Sequence, residues 1–183
     1  MDQQGYDMEE VFRYRTVKGV LWPMYVILIV ACLTCPCLSA MASEVHDAVV
    51  FEGTSVGVIS AVQTARMGKS VIVGSPDRHL GGLSSGGLGA TDIANESAVG
   101  GIAREFNRRL GKHYGKDEAW TFKPHVAEET FKAMIAEAGI PVVYEARIDL
   151  NPGVKTEPGK IRAIFTESGQ CFEGLMFINA TYK

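Results

Sequence analysis

The chain has little cysteine where a folded domain would use it. Three of its four cysteines, Cys32, Cys35 and Cys37, fall in one N-terminal apolar run, and only Cys171 lies beyond it. One thiol cannot close an internal bridge, which excludes a disulfide framework. Cys171 itself reads as a small residue of a hairpin and not as a nucleophile. The chain also lacks an excess of either charge. Lysine and arginine number 18 against 21 acidic residues, a net charge of −3, so no global positive field invites nucleic acid. There is no internal repeat and no low-complexity tract. What is present, 46% apolar and 21% charged residues in 183, is an ordinary globular composition at about one domain's length.

One absence is local. No charged residue stands between Gly19 and Ser43, and Arg13, Arg15 and Lys18 precede the run. Its centre, "MYVILIVACL", is strongly apolar, and "AMAS" places Ala40 and Ala42 in the small-x-small spacing of a signal-peptidase site. Residues 1–42 are therefore read as a secretory signal cut after Ala42. Two rivals stand beside it. The run is long enough to span a bilayer as a retained anchor, although Pro23 and Pro36 interrupt it, and "IVAC" (Ile29–Cys32) resembles a lipoprotein box that would acylate Cys32. Each reading puts the domain outside the cytoplasm, periplasmic or secreted, with a membrane touched only through an uncleaved N-terminal segment.

From residue 46 the pattern becomes strand, turn, helix, strand. "DAVVF" (Asp47–Phe51) is the β-branched run of a buried parallel strand. A helix is predicted from about Val56 to Met67, with Ile59, Val62 and Ala65 on one side and Gly68 ending it. "SVIVG" (Ser70–Gly74) is the next strand, completing a βαβ unit. Helices are predicted again at "GGIAREFNRRL", where Ile102, Phe106 and Leu110 repeat every four residues, and from Pro124 to a stop at Gly139 and Pro141. The period then changes to two. "PVVYEARI", "KIRAIFTES" and "QCFEGLMFINAT" read as strands, split by turns at Pro152–Gly153, Pro158–Gly159 and Ser168–Gly169. The expected fold class is α/β: a Rossmann-like parallel sheet with flanking helices and a β-meander.

The chemistry sits in two bends. A helix that opens just after a first strand offers free N–H groups and a partial positive charge, and pyrophosphate binds there when glycines let the backbone approach. In the pattern G-x-G-x-x-G the three slots are held here by Glu52, Thr54 and Gly57, so as a bare motif it fails and Gly53 could be a plain turn glycine. The second bend, "RHLGGLSSGGLGATD" (Arg78–Asp92), is dense in glycine and has no periodic face. It is either a flexible loop or a wrap around something that backbone must approach, and after a βαβ start the amides of Gly82–Gly87 suit a phosphate or a flavin ring.

These stretches, with "GTSVGVISAVQTARMGKSVIV", "GGIAREF", "GKHYGKDEAWTFKPHVAE" and "FINATY", resemble in order and spacing the secreted FAD-dependent oxidoreductases of the Rossmann-type flavoprotein superfamily, some labelled xanthan-lyase-like. The resemblance covers about Asp47 to Tyr182. It implies FAD as cofactor, with Gly53, Ser55 and Gly57 at the pyrophosphate. It further implies Gly81, Gly82, Ser84, Ser85 and Gly86 near the flavin, and Ala180 and Thr181 closing over it. The implied activity is hydride transfer between an unnamed organic substrate and the flavin. Residues 43–183 would then be the N-terminal portion of an FAD-binding domain, with a companion chain as one way to complete it.

Three departures from the family pattern keep an alternative open. A carboxylate at Glu52, about 5 Å from pyrophosphate, opposes binding by about 3 kcal/mol at an effective dielectric near 20. A positive φ at that slot would add about 1 kcal/mol for a side chain other than glycine. Ser75 stands where an acidic residue usually holds the adenosine ribose, and Asp77 lies two residues on, across Pro76. Asn179 replaces a common aspartate, and relatives continue beyond residue 183. The alternative is a truncated, non-catalytic exported remnant without FAD. A third reading, NADP binding, rests on Ser75 followed by Arg78 near a 2′-phosphate. No catalytic residue is assigned: His79, His113 and His125 are titratable but read as surface groups, and Asp92, Arg104 and Glu105 fit a pocket or an exposed face equally.

Overall fold

The computed structural model describes residues 44–91 and 93–182. The segment read as signal, anchor or lipoprotein box lies outside the described residues, as does Asp92. Among the described residues no helix is long and apolar enough to cross a membrane.

The chain runs β1 (Val45–Phe51), α1 (Ser55–Arg66), β2 (Val71–Gly74), a glycine-rich loop holding a π-helical turn at Ser84–Leu88, a 3-10 turn at Glu96–Ala98, then α2 (Gly101–His113) and α3 (Pro124–Glu137). Four strands follow: β3 (Val142–Val143), β4 (Val154–Glu157), β5 (Lys160–Phe165) and β6 (Cys171–Asn179). All six make one sheet in the order β3-β2-β1-β6-β5-β4. The four strands β3, β2, β1 and β6 are mutually parallel, and β5 and β4 extend the sheet as an antiparallel meander. This is the α/β architecture expected from the sequence.

β1 is central because both its faces are apolar. Ala48 and Val50 point into the helical side, while Val49 packs with Ala146 and Phe172 on the other. Val50 pairs with Val73 of β2 and Ile178 of β6, which fixes the register on both sides. The main core lies between the sheet and the helices. Val58, Ala61 and Val62 of α1 are buried there, and the Phe131 ring of α3 stacks on Phe106 of α2 at 4.2 Å between centroids. Pro124 opens α3 and Gly139, at φ +65°, follows its end.

Two elements differ from the sequence reading. The long strand expected over "PVVYEARI" pairs with β2 at Val142–Val143, and its last residue, Ile148, makes a single antiparallel bridge to Thr166. Beyond Val143, Glu145 turns to φ +56° and the Ala146 amide bonds back to the Ser75 carbonyl, which takes the chain off the sheet edge. Conversely, β4 carries no alternation, because all four residues of "VKTE" are exposed on the outermost strand.

Candidate functional site

The turn leaving β1 shows why the glycine motif departs where it does. The Gly57 slot admits no side chain: a Cβ there would collide with the Glu52 carbonyl and lie 3.2 Å from Ala180 Cβ. Gly57 therefore lets α1 pack against the strand ends. Gly53 is equally enclosed, since a Cβ would come within 2.5 Å of Leu80 Cδ2 and 3.0 Å of Ser75 Oγ. Thr54, in the second slot, is turned inward and 1% exposed. Its hydroxyl accepts from the Gly57 amide at 3.1 Å and donates to the Ala180 carbonyl at 2.9 Å, so it caps α1 and ties it to the end of β6. The first-turn amides of Ser55 and Val56 have no carbonyl one turn back inside the helix and remain donors. Glu52 occupies the first slot at φ +85°.

The second bend touches the first. The Gly81 amide donates to the Gly53 carbonyl at 2.7 Å, and Thr54 and Gly81 form a parallel bridge. Gly81 has φ +103°, and a Cβ would meet Phe131 Cδ2 at 2.5 Å. Gly82 sits against the Tyr182 ring, whose hydroxyl accepts from the Leu83 amide at 3.1 Å. The Ser85 hydroxyl donates to the Leu80 carbonyl at 2.6 Å and the Gly86 amide to the Gly82 carbonyl at 2.8 Å. At Gly86 and Gly87 a Cβ would meet nothing within 4 Å.

Two depressions flank this bend. An open cleft of about 1000 Å³ is lined by Glu52, Asp77, Gly82, Ser85, Gly86 and Tyr182, with Arg78, Glu145 and Arg147 further along. A smaller groove of about 360 Å³, mostly apolar, lies over the start of α1 and is lined by Ser55, Ile59, Ser84, Phe106, Asn107 and Phe131. The expected site residues are thus divided. Gly82, Ser85 and Gly86 face the cleft, Ser55 and Ser84 face the groove, and Gly53, Gly57, Gly81 and Ala180 form the wall between strand, helix and loop. The Thr181 amide bonds to the Asn179 side chain at 3.1 Å, past the end of β6.

The electrostatics of the cleft are acidic at its near wall. Burial pushes the Glu52 carboxyl above the usual range, and the Asp77 carboxylate adds to the shift. Ser75 is 1% exposed, with its backbone held by Val143 and Ala146, so it presents nothing to a ribose. Asp77, two residues on, does line the cleft. Arg78 is engaged by Glu145 at 2.8 Å. His79 lies 3.0 Å from Glu128, and His125 lines the same cleft, whereas His113 closes α2 against the Tyr114 ring. Arg104 pairs with Glu118 at 2.7 Å and Glu105 with Arg66 at 2.7 Å, ion pairs that lie outside both depressions. Glu105 is held down to about 2 by the Arg66 hydrogen bonds, which with those of Arg109 outweigh its partial burial. Tyr182 closes the "FINATY" stretch that carries the resemblance, but the sequence assigns it no role.

Residues 47–183 match the family described as FAD dependent oxidoreductase. The chain belongs to this family. Among solved structures its fold is similar to L-proline dehydrogenase from P. horikoshii, at TM-score 0.57 and 17% identity over 75% of this chain and 53% of that one. L-amino acid deaminase from Proteus vulgaris, lacking its specific insertion sequence, superposes at TM-score 0.54 with 14% identity over 74% and 53%. An oxidized steroid monooxygenase bound to NADP does so at 0.55 with 12% identity over 75% and 26%. At these identities the likeness is one of fold, and the chain spans about half the length of the first two. No curated protein matches.

Proposed function

We propose that residues 43–183 form the FAD-binding portion of an extracytoplasmic flavin-dependent oxidoreductase, of the secreted branch the sequence resembles. The observation that carries this is the Gly81–Gly53 hydrogen bond, which joins the two glycine bends, with Glu52 of the first and Gly82, Ser85 and Gly86 of the second lining one cleft. The residues fit the group. The amides of Ser55 and Val56 suit the pyrophosphate, and Gly86, with open space at its α-carbon, lets backbone approach a ligand. The groove holding Ser84 and Phe106 suits an apolar ring, and Asp77, which lines the cleft, would hold the ribose in place of the buried Ser75. When bound, FAD supplies hydride acceptance from an organic substrate, and this chain's part is placement and electrostatics. A further stretch of polypeptide, on this or a companion chain, would cover the open side and recognise the substrate. Residues 1–42 are its export signal or membrane tether.

Titrating FAD into the purified protein, followed by flavin fluorescence and thermal stability, tests this reading. Saturable quenching with a rise in melting temperature is expected. Stabilisation by NADP and not by FAD, or by neither, overturns it. The second of these outcomes would favour the cofactor-free remnant, a reading that Glu52 at φ +85° on the cleft wall supports.

A further inference from the structure

Glu52 stands in a left-handed backbone that an L side chain enters at a cost, and the fold asks nothing of its carboxylate. Among the described residues it makes no ion pair, and no lysine or arginine contributes to its charge environment. Its side chain, half-buried, lines the cleft across from Gly82, Ser85 and Gly86. Among the described residues, the charged groups around that cleft other than Arg147 are paired elsewhere or add to the repulsion. Asp77, from the loop after β2, is a second carboxylate beside it. Arg78 from the same loop is bound to Glu145 after β3, and His79 faces Glu128 of α3, with His125 at the start of that helix. Arg147, exposed and without an ion pair among the described residues, also lines the cleft but adds nothing to the charge environment of Glu52, and Tyr182 lines it too. Glu52 also abuts the first turn of α1, since a Cβ at Gly57 would meet its carbonyl, so a pyrophosphate on the Ser55 and Val56 amides meets a negative charge that no ion pair compensates.

We propose that Glu52 sets cofactor affinity by coupling it to a proton: the cleft takes up the doubly charged pyrophosphate of FAD together with one proton, which resides on the Glu52 carboxyl. This rests on the flavin reading above. The burial and the Asp77 carboxylate that already favour the protonated form agree with it, and bound pyrophosphate favours that form further. Below the carboxyl's value in the free protein, affinity is constant. Above it, affinity falls up to tenfold per pH unit until the value in the complex is passed, and then levels off. The total span is on the order of a hundredfold for charges about 5 Å apart at an effective dielectric near 20.

The test is a fluorescence titration of FAD into the full chain from acid to neutral pH, for the wild type, Glu52→Gln and Glu52→Gly, with circular dichroism confirming the fold at each pH. Glu52→Gln keeps the strained side chain and removes only the charge. The wild type should weaken about a hundredfold toward neutral pH, while Glu52→Gln stays flat near the wild type's acid value and Glu52→Gly is flat and as tight or tighter. In the pH range where wild-type affinity falls, calorimetry in buffers of differing ionisation enthalpy should show up to one proton taken up per FAD by the wild type and none by Glu52→Gln. Parallel pH profiles for wild type and Glu52→Gln would assign the titration to His79 or His125 and overturn the proposal, as would a flat wild-type profile. Failure of all three proteins to bind FAD at any pH would overturn the flavin reading itself and this inference with it.

Discussion

The two bends that meet at the Gly53–Gly81 hydrogen bond hold glycine for different reasons. In the first, Gly53 and Gly57 are enclosed by protein atoms, and a Cβ at either would strike Leu80 or the Glu52 carbonyl. Where no such contact stands in the way, larger residues occupy the slots: Thr54 turns inward as a helix cap, and Glu52 turns onto the cleft. In the second bend Gly81 and Gly82 are likewise explained by Phe131 and Tyr182, but Gly86 and Gly87 look onto open space. Gly87, at φ +135°, is required by its own backbone, which leaves Gly86 as the glycine of this bend that neither packing nor a left-handed backbone explains. The comparison therefore separates residues that build the fold from those that leave room for a ligand.

The sharpest way to break it is at the shared support. Phe131 stacks on Phe106 and abuts Gly81, so Phe131→Ala should destabilise the domain by about 3–5 kcal/mol; a denaturant midpoint reads this directly. Gly57→Ala forces α1 off the β1 turn and should lose about 1–3 kcal/mol, seen in the same unfolding curves. Glu52→Gly acts in the opposite direction. Relief of the positive φ should raise stability by up to about 1 kcal/mol, less the entropy that glycine loses on folding, and a loss of stability would mean that Glu52 makes a contact the fold needs. Smaller still is the acid response of the helix layer. Glu105, held near 2 by Arg66 and Arg109 against an ordinary 4.5, adds stability that is full above 4.5 and lost as pH falls toward 2. Glu105→Gln should flatten that fall while lowering neutral-pH stability by about 1 kcal/mol or less, because the pair is partly exposed. Free energies of unfolding against pH for both proteins check it. Gly86→Ala should change stability least, within about 0.5 kcal/mol.

Much of the fold was legible because its signals are local. The β-branched run at Asp47–Phe51, Gly68 after α1, Pro124 and Gly139 around α3, and the turns of the meander each dictate an element through its own residues. β4 was not legible, because an outer strand with every residue exposed has no alternation to read. The shortened β3 was hidden for another reason: Glu145 leaves the strand to bond Ala146 back onto Ser75, a tertiary contact. At the site, the glycine-rich loop stood out by composition. The inward turn of Thr54 and the burial of Ser75 depend on Ala180, Val143 and Ala146, residues distant in sequence, so the motif looked more broken than the structure makes it. Asp77, two residues past the expected slot across Pro76, lines the cleft, and Tyr182 lies against Gly82; loop geometry decides both.

The claim under all of this is that the open face at Gly86 exists for FAD. The direct measurement is FAD binding to the wild type and to Gly86→Val, by fluorescence titration, with unfolding midpoints taken alongside. The account expects saturable binding by the wild type, loss of most of that affinity in Gly86→Val, and unfolding midpoints that stay close together. Equal binding by both proteins, or no binding by the wild type in acid or at neutral pH, would contradict it.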